Sequence, residues 1–384
     1  EGLFFAIGFL LGGVCGVLVM CLLPNAGSFG MAVSTAMIFG LVSLMFLDTS
    51  INMAMQPFKM MVGDMVNEKQ KGLAYSIQSF LCNAGSLVGF LFPFIFTWIG
   101  ISNIAPQGVV PDSVIYSFYI GAAILILCVI YTTVKVKEMP PAEYAEYHGI
   151  TEEEKKEKIN MVKLLVKAPK AFWTVGLVQF FCWFAFMFMW TYTNGSVAAN
   201  VFDAPTVETV VKGASKVVLD TKSIQYQNAA DWVGVLFAVQ AIGSVLWAVC
   251  IPMFKNRKLI YSLSLVLGGI GFISTYFVHN QYVLFISFLL IGCAWAAMLA
   301  LPFTILTNAL SGGHMGTYLG LFNGTICIPQ IVAATLGGSI LALFTPKGML
   351  PPEINMLVMA GVMLIIGAVC VYLIKETKGE ETKA

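Results

Sequence analysis

Apolar runs long enough to cross a bilayer recur along the whole chain, at roughly 3–23, 30–58, 73–97, 114–134, 172–194, 232–254, 259–278, 282–308, 317–344 and 354–374. A helix needs about 20 residues to span the hydrocarbon core. Inside lipid a segment must satisfy its own backbone hydrogen bonds, so these ten runs are expected as helices. Only 11% of the residues are charged, against about 25% in a soluble domain. So few charges cannot coat a globule of 384 residues. The expectation is an all-α, multi-pass membrane protein surrounded by lipid.

Charge placement orients the chain. Of the 21 Lys and Arg residues, Lys212, Lys216, Lys222 and Lys347 fall in loops on one side. The rest lie on the other side: Lys59, Lys69, Lys71, the 135–170 segment, Lys255, Arg257, Lys258 and the tail from Lys375. Cytoplasmic loops carry the excess of Lys and Arg. The Lys-rich side is therefore expected inside, with both termini cytoplasmic and the chain in the cell membrane. A formal net charge of +1 gives no reason to expect a nucleic-acid partner, and a monomer is expected.

Four spans precede the polar break at 135–170 and six follow it. The break carries Pro140-Pro141 and then a candidate capping box, Thr151 with Glu154. Ile159, Val162, Leu165 and Val166 beyond it suggest an amphipathic helix along the inner surface. The halves echo each other. Pro57-Phe58, a short turn and Gly72 recur as Pro302-Phe303, a Gly-rich turn and Gly316. Internal symmetry across a central loop is a signature of transporters with two related bundles. The expected organisation is an N-terminal bundle at 1–136, a cytoplasmic loop at 137–170 and a six-helix bundle at 171–384. Matching halves would need two further spans before Glu1, making this chain about ten of twelve.

Asp48 lies deep in the second run, and an ionisable group there marks a substrate or ion pathway. Asn52, Gln56 and Lys59 follow at 4, 8 and 11 positions. At 3.6 residues per turn they share a stripe with Asp48, and Lys59 stands roughly 16 Å along the axis. Uncharged polar residues are spread over other spans: Gln78, Asn83, Gln179, Gln240, Thr304, Asn308, Asn323 and Gln330. Singly, such residues serve more often as interhelical glue than as ligands. Together with Trp183, Trp190, Tyr192 and Asn194 they offer the neutral donors, acceptors and flat surfaces that a sugar needs. The nine cysteines lie inside the runs without metal-ligand spacing, and no hydrolase, metalloprotease or nucleotide-binding motif appears. No enzyme, metal site or cofactor is expected.

The block Leu47-Asp48, Asn52, Pro57, Lys59 and Asp64 is similar to the fourth helix of the plant sucrose/proton symporters and their animal relatives in the major facilitator superfamily. Gly316-Thr-Tyr-Leu-Gly320-Leu-Phe-Asn323 with Ile328-Pro329-Gln330 resembles the eleventh helix of the same group, with the flavour of bacterial members linked to maltose or sucrose uptake. The resemblance implies a two-bundle transporter importing a disaccharide or glycoside with a proton. Asp48 would carry the proton, with Lys59 as its basic counterpart near the sugar. Lys59, Asn52, Gln56, Gln78, Asn83, Trp190, Gln240, Asn323 and Gln330 are the candidate substrate contacts. Lys59 replaces the Arg of the relatives and loses its bidentate fork. The helix after the central loop also lacks the relatives' charged residues, so the sugar contacts there must differ. Sodium in place of the proton, and a sugar sensor that does not transport, are the alternative readings.

Overall fold

A computed structural model describes residues 2–25, 33–66, 68–101, 110–136, 161–211, 214–254, 256–309 and 315–374. The helices are α1 (Gly2–Leu22), α2 (Val33–Met65), α3 (Glu68–Trp98), α4 (Asp112–Lys135), α5 (Met161–Val166) and α6 (Lys170–Asn200). After a hairpin of β1 (Thr206–Val211) and β2 (Ala214–Leu219) come α7 (Ile224–Cys250), α8 (Arg257–Ser274), α9 (Leu284–Ala309), α10 (Met315–Phe322), α11 (Gly324–Phe344) and α12 (Ile354–Cys370). Among the described residues, nine helical spans are long and apolar enough to cross a membrane. The remaining expected span is α3, whose apolar run is shorter, Phe80–Phe92. Polar residues from Glu68 through Gln78 dilute its first turns.

Three expectations change. The run at 317–344 is two helices, because α10 ends at Phe322 and α11 starts at Gly324. The junction is Asn323-Gly324, two weak helix formers. The loop at 200–228 contains an antiparallel hairpin with register Thr206↔Leu219 through Val211↔Ala214. Its strands are rich in Val and Thr, the β-branched residues that favour extended backbone, and Leu219 anchors it against the helical core. Of the inner-surface helix only α5 is described; the capping box at Thr151 and Glu154 lies outside the described residues.

The chain forms two compact units, Glu1–Ala74 with Gly89–Ile159, and Tyr75–Val88 with Asn160–Ala384. In the first, α1 packs against α2 and α4. A Cβ on Gly12 would stand 2.8 Å from the Ser50 carbonyl, and one on Gly13 2.7 Å from a Val129 methyl. In the second, α6 is the central helix, with 67% of its membrane-length window buried, and it packs on α7, α9, α11 and α12. Its buried Val175, Val178, Cys182, Phe186 and Met189 form the heart of that unit's core.

Glycines let α7, α8 and α9 approach backbone to backbone. A Cβ on Gly243 would lie 2.6 Å from the Leu289 carbonyl, and one on Gly271 2.6 Å from the Ser287 carbonyl. On Gly292 it would overlap the Gln240 carbonyl outright. In lipid, where apolar contact with a neighbour gains little over contact with acyl chains, such close packing is a main source of helix association. Gly292→Ala should therefore cost about 1–3 kcal/mol through overpacking. Gly320→Ala, with open space around the new methyl, should leave the thermal midpoint of the purified protein near wild type. Equal midpoints for the two variants would contradict this account.

Candidate functional site

Gln179, Trp183, Phe186 and Trp190 follow one another at steps of four, three and four residues along α6. Those steps keep them on one face. The face meets α9 at a defect in that helix. Pro302 lies inside α9 and has no N–H to give to the carbonyl four residues earlier. That carbonyl belongs to Met298, and Gln179 Nε2 donates to it at 2.8 Å. A side chain from α6 thus replaces the hydrogen bond that the proline removes. The other amide atom, Gln179 Oε1, is buried without a partner.

One turn along, Trp183 Nε1 is likewise buried without a partner. Around it the rings form a box. Trp183 and Trp295 meet edge to face at 5.8 Å, and Trp295 meets Trp190 edge to face at 5.8 Å. Phe186 stands 4.9 Å from Trp295, and Trp183 is 6.4 Å from Trp190. Phe272 of α8 closes the back of Phe186 at 5.8 Å. Trp190 is 42% exposed, while Trp183 is 9% exposed, so the box is open at the Trp190 end. It offers an unfilled acceptor, an unfilled indole donor and flat aromatic faces within about three turns of helix. Apolar walls with a few placed polar groups are the make-up of a small-molecule site.

A second polar contact lies on α7. Ser244 Oγ donates to Asn83 Oδ1 at 3.1 Å, and both residues are buried. Gln240 is also buried and sits one turn before Ser244. Asn83, expected as a sugar contact, is thus engaged by another helix in the structure.

On α2, Asp48 is exposed and Asn52 half-buried. The packed helices of its unit do not bury Asp48, contrary to the burial read from the apolar run. Asn52 Nδ2 donates to the Asp48 carbonyl at 2.9 Å, within its own helix. Gln56 and Lys59 continue α2, with side chains outside the description. Gln78 is half-buried on α3. Asn323 and Gln330 are half-buried where α10 meets α11, with Asn323 Nδ2 3.9 Å from Cys327 Sγ. The structure therefore gathers Trp190 with Gln179 and Trp183, sets Gln240 one turn from the Ser244 that bonds Asn83, and places Asn323 between α10 and α11 and Gln330 within α11.

Sequence reading missed Trp295. Its signal was position: a Trp in the middle of a span, among Cys293, Ala294, Ala296 and Ala297, lies far from the interfacial belts where Trp is common. Among the described residues no cluster of His, Cys, Asp or Glu has the make-up of a metal site.

Comparison with known proteins locates the chain. The family profile described as Major Facilitator Superfamily matches residues 217–384. No curated protein matches the sequence. Among solved structures, the xylose transporter of E. coli in an inward-open conformation aligns with TM-score 0.64 at 13% identity, over 98% of this chain and 81% of that one. A D-xylose-proton symporter aligns with TM-score 0.61 at 14% identity, over 98% and 87%. The fucose:proton symporter of E. coli aligns with TM-score 0.58 at 14% identity, over 96% and 84%.

The clamp on α9 makes a testable coupling. Gln179→Leu leaves the Met298 carbonyl without its donor and should cost about 1–3 kcal/mol of stability. Pro302→Ala returns a helical N–H to the same carbonyl, so the loss should shrink by at least half in the double variant. Thermal midpoints of the four proteins form a double-mutant cycle; strict additivity would remove the clamp from the explanation. The fold these comparisons establish is the all-α, two-bundle membrane fold of the major facilitator type.

Proposed function

We propose that the chain is a secondary active transporter that carries a sugar across the cell membrane by alternating access, coupled to protons. The observation that carries this reading is the box on α6 and α9. Indole faces stack on the apolar faces of a sugar ring. Gln179 Oε1 and Trp183 Nε1 supply an acceptor and a donor for its hydroxyl groups. The comparison with symporters for xylose and fucose supports the same class of cargo. The pattern around Asp48 favours an α-linked disaccharide or glycoside, sucrose- or maltose-like.

Asp48 is the proposed proton carrier, with Lys59 as its basic neighbour on α2. Asn52, Gln56, Gln78, Asn83, Trp190, Gln240, Asn323 and Gln330 remain proposed sugar contacts, joined now by Gln179, Trp183 and Trp295. The segments 1–136 and 171–384 are the proposed rocking bundles, joined by a cytoplasmic loop at 137–170, with the Lys-rich side inside.

Uptake into proteoliposomes under an imposed pH gradient tests the reading. One unit of gradient supplies about 1.4 kcal/mol per proton, so one proton per sugar gives about tenfold accumulation. Asp48→Asn should abolish accumulation while sugar exchange across the membrane persists. Trp295→Ala should raise the half-saturating sugar concentration about tenfold or more through the loss of one stacked face. Accumulation driven by sodium alone would assign the coupling to sodium. Saturable sugar binding without flux would make the protein a sensor. Accumulation unchanged in Asp48→Asn would remove that residue from the mechanism.

A further inference from the structure

Glu353 stands at the N-cap of α12, just outside the span Ile354–Leu373. A carboxylate at that position ordinarily accepts from the first free N–H groups of its helix. Here the side chain makes no capping hydrogen bond. It crosses instead to the C-terminal end of α6, where its carboxylate rests on Gly195. A Cβ at Gly195 would overlap Oε2, and the second oxygen would lie 2.8 Å away. Only glycine leaves the notch that this carboxylate fills.

Among the described residues, the surroundings do not answer a negative charge. From α6 the titratable group that faces Glu353 is Tyr192, itself pressed against α11 so that a Cβ on Gly337 would stand 2.6 Å from its hydroxyl. Asn194, which precedes Gly195 in the chain, donates to Tyr226 Oη at 2.9 Å and leaves its Oδ1 buried without a partner. α11 contains no charged residue, and the Arg257 and Lys258 of α8 lie at that helix's first turn. Lys347 is in the connection leading to Glu353. At the last turn of α6 the Asn200 carbonyl lies 3.2 Å from His279 Nδ1. With burial as the cause, the Glu353 carboxyl is pushed up from its ordinary 4.5 to about 7.

We propose that Glu353 is a proton-operated latch that fastens the end of α6 to the start of α12 when protonated and releases it when ionised. The protonated acid sits in the Gly195 notch at no charge cost. The ionised acid is half-buried with no cation against it among the described residues, and it leaves the notch for solvent. The sign follows from linkage. The folded chain holds this proton more tightly than the unfolded chain does. The seam is thus fully favoured below about pH 4.5 and weakens as pH rises through about 7. The end of α6 is the part of the central helix that this loosens, and the latch does not depend on which cargo the chain carries.

Amide hydrogen exchange of the full chain in lipid nanodiscs tests it, with rates corrected for the intrinsic pH dependence of exchange. In the wild type, protection over 195–202 should fall about tenfold between about pH 6 and about pH 8. Glu353→Gln, uncharged throughout, should keep the low-pH protection at both values. Gly195→Ala fills the notch and should give the unprotected level at both. The infrared band of the protonated carboxyl, present in the wild type and lost with a midpoint near 7, provides a measure that needs no variant to fold. Protection that ignores pH in the wild type, a pH step that survives in Glu353→Gln, or a carboxyl that titrates in the ordinary Glu range would each overturn the latch. None of these outcomes bears on sugar uptake, so the latch and the transport reading stand or fall separately.

Discussion

Hydrocarbon offers a backbone no hydrogen-bonding partner, and this one constraint decides where nearly every polar side chain in the spans is placed. Most hydroxyls turn back onto their own helix. Thr193 donates to the Met189 carbonyl, Ser196 to Tyr192, Thr191 to Met187 and Ser50 to Phe46. Such bonds hide polarity without joining helices. Against that background, the polar groups that leave their own helix are informative. Gln179 reaches Met298, Ser244 reaches Asn83, Trp247 reaches Ser264, and Ser262 reaches the Ala368 carbonyl. The first of these repairs a proline defect in α9, and the helix that makes the repair also carries three of the four rings of the box.

The proline and the glycines act on α9 together. Gly292 brings α9 hard against the backbone of α7, and Gly271 brings α8 hard against Ser287 of α9. Ten residues past Gly292, Pro302 releases a carbonyl toward α6. Trp295 falls between the two devices, three residues after the glycine and seven before the proline. The helix that bears it is therefore held by α7 and α8, and its ring is met by Trp183, Phe186 and Trp190 of α6. That is how a bulky side chain in the middle of a span keeps one orientation against Trp183 and Trp190. A rigid wall of this kind loses little conformational freedom when a ligand stacks on it.

Hydrophobic periodicity made the spans legible because a membrane leaves a helix little choice, and the boundaries came within a few residues for most of them. The hairpin at Thr206–Leu219 was not legible as structure, since short β-branched runs beside long apolar ones carry a weak signal. The site was legible only in part. Trp190 stood out as an aromatic in a polar-studded span, whereas Trp295 and Glu353 depend on neighbours distant in sequence. Asn83 read as a ligand because sequence gives the amide but not Ser244, 161 residues away. Glu353 did not stand out in the sequence, and the notch that gives it a meaning belongs to Gly195.

Asp48 illustrates how far a helical stripe can be trusted. Residues of an α-helix advance about 100° each, so Asp48 and Ser50 point roughly 160° apart. The face that packs is the Ser50 face. Ser50 and Ala54 are buried against α1, and Gly12 lets the Ser50 carbonyl come close. That contact fixes the rotation of α2 about its own axis, and in doing so it turns Asp48 away from α1. The periodicity puts Asp48 and Asn52 on one side of the helix, and that side is not the one packed on α1. Asn52 then bonds the Asp48 carbonyl from below, which keeps its amide on the helix and leaves the carboxylate as the group that projects. For the proton role proposed for Asp48, a carboxylate that projects from a helix locked by a glycine contact needs no rearrangement of α1 and α2. The packing of a small residue two positions away thus sets the availability of the charged one.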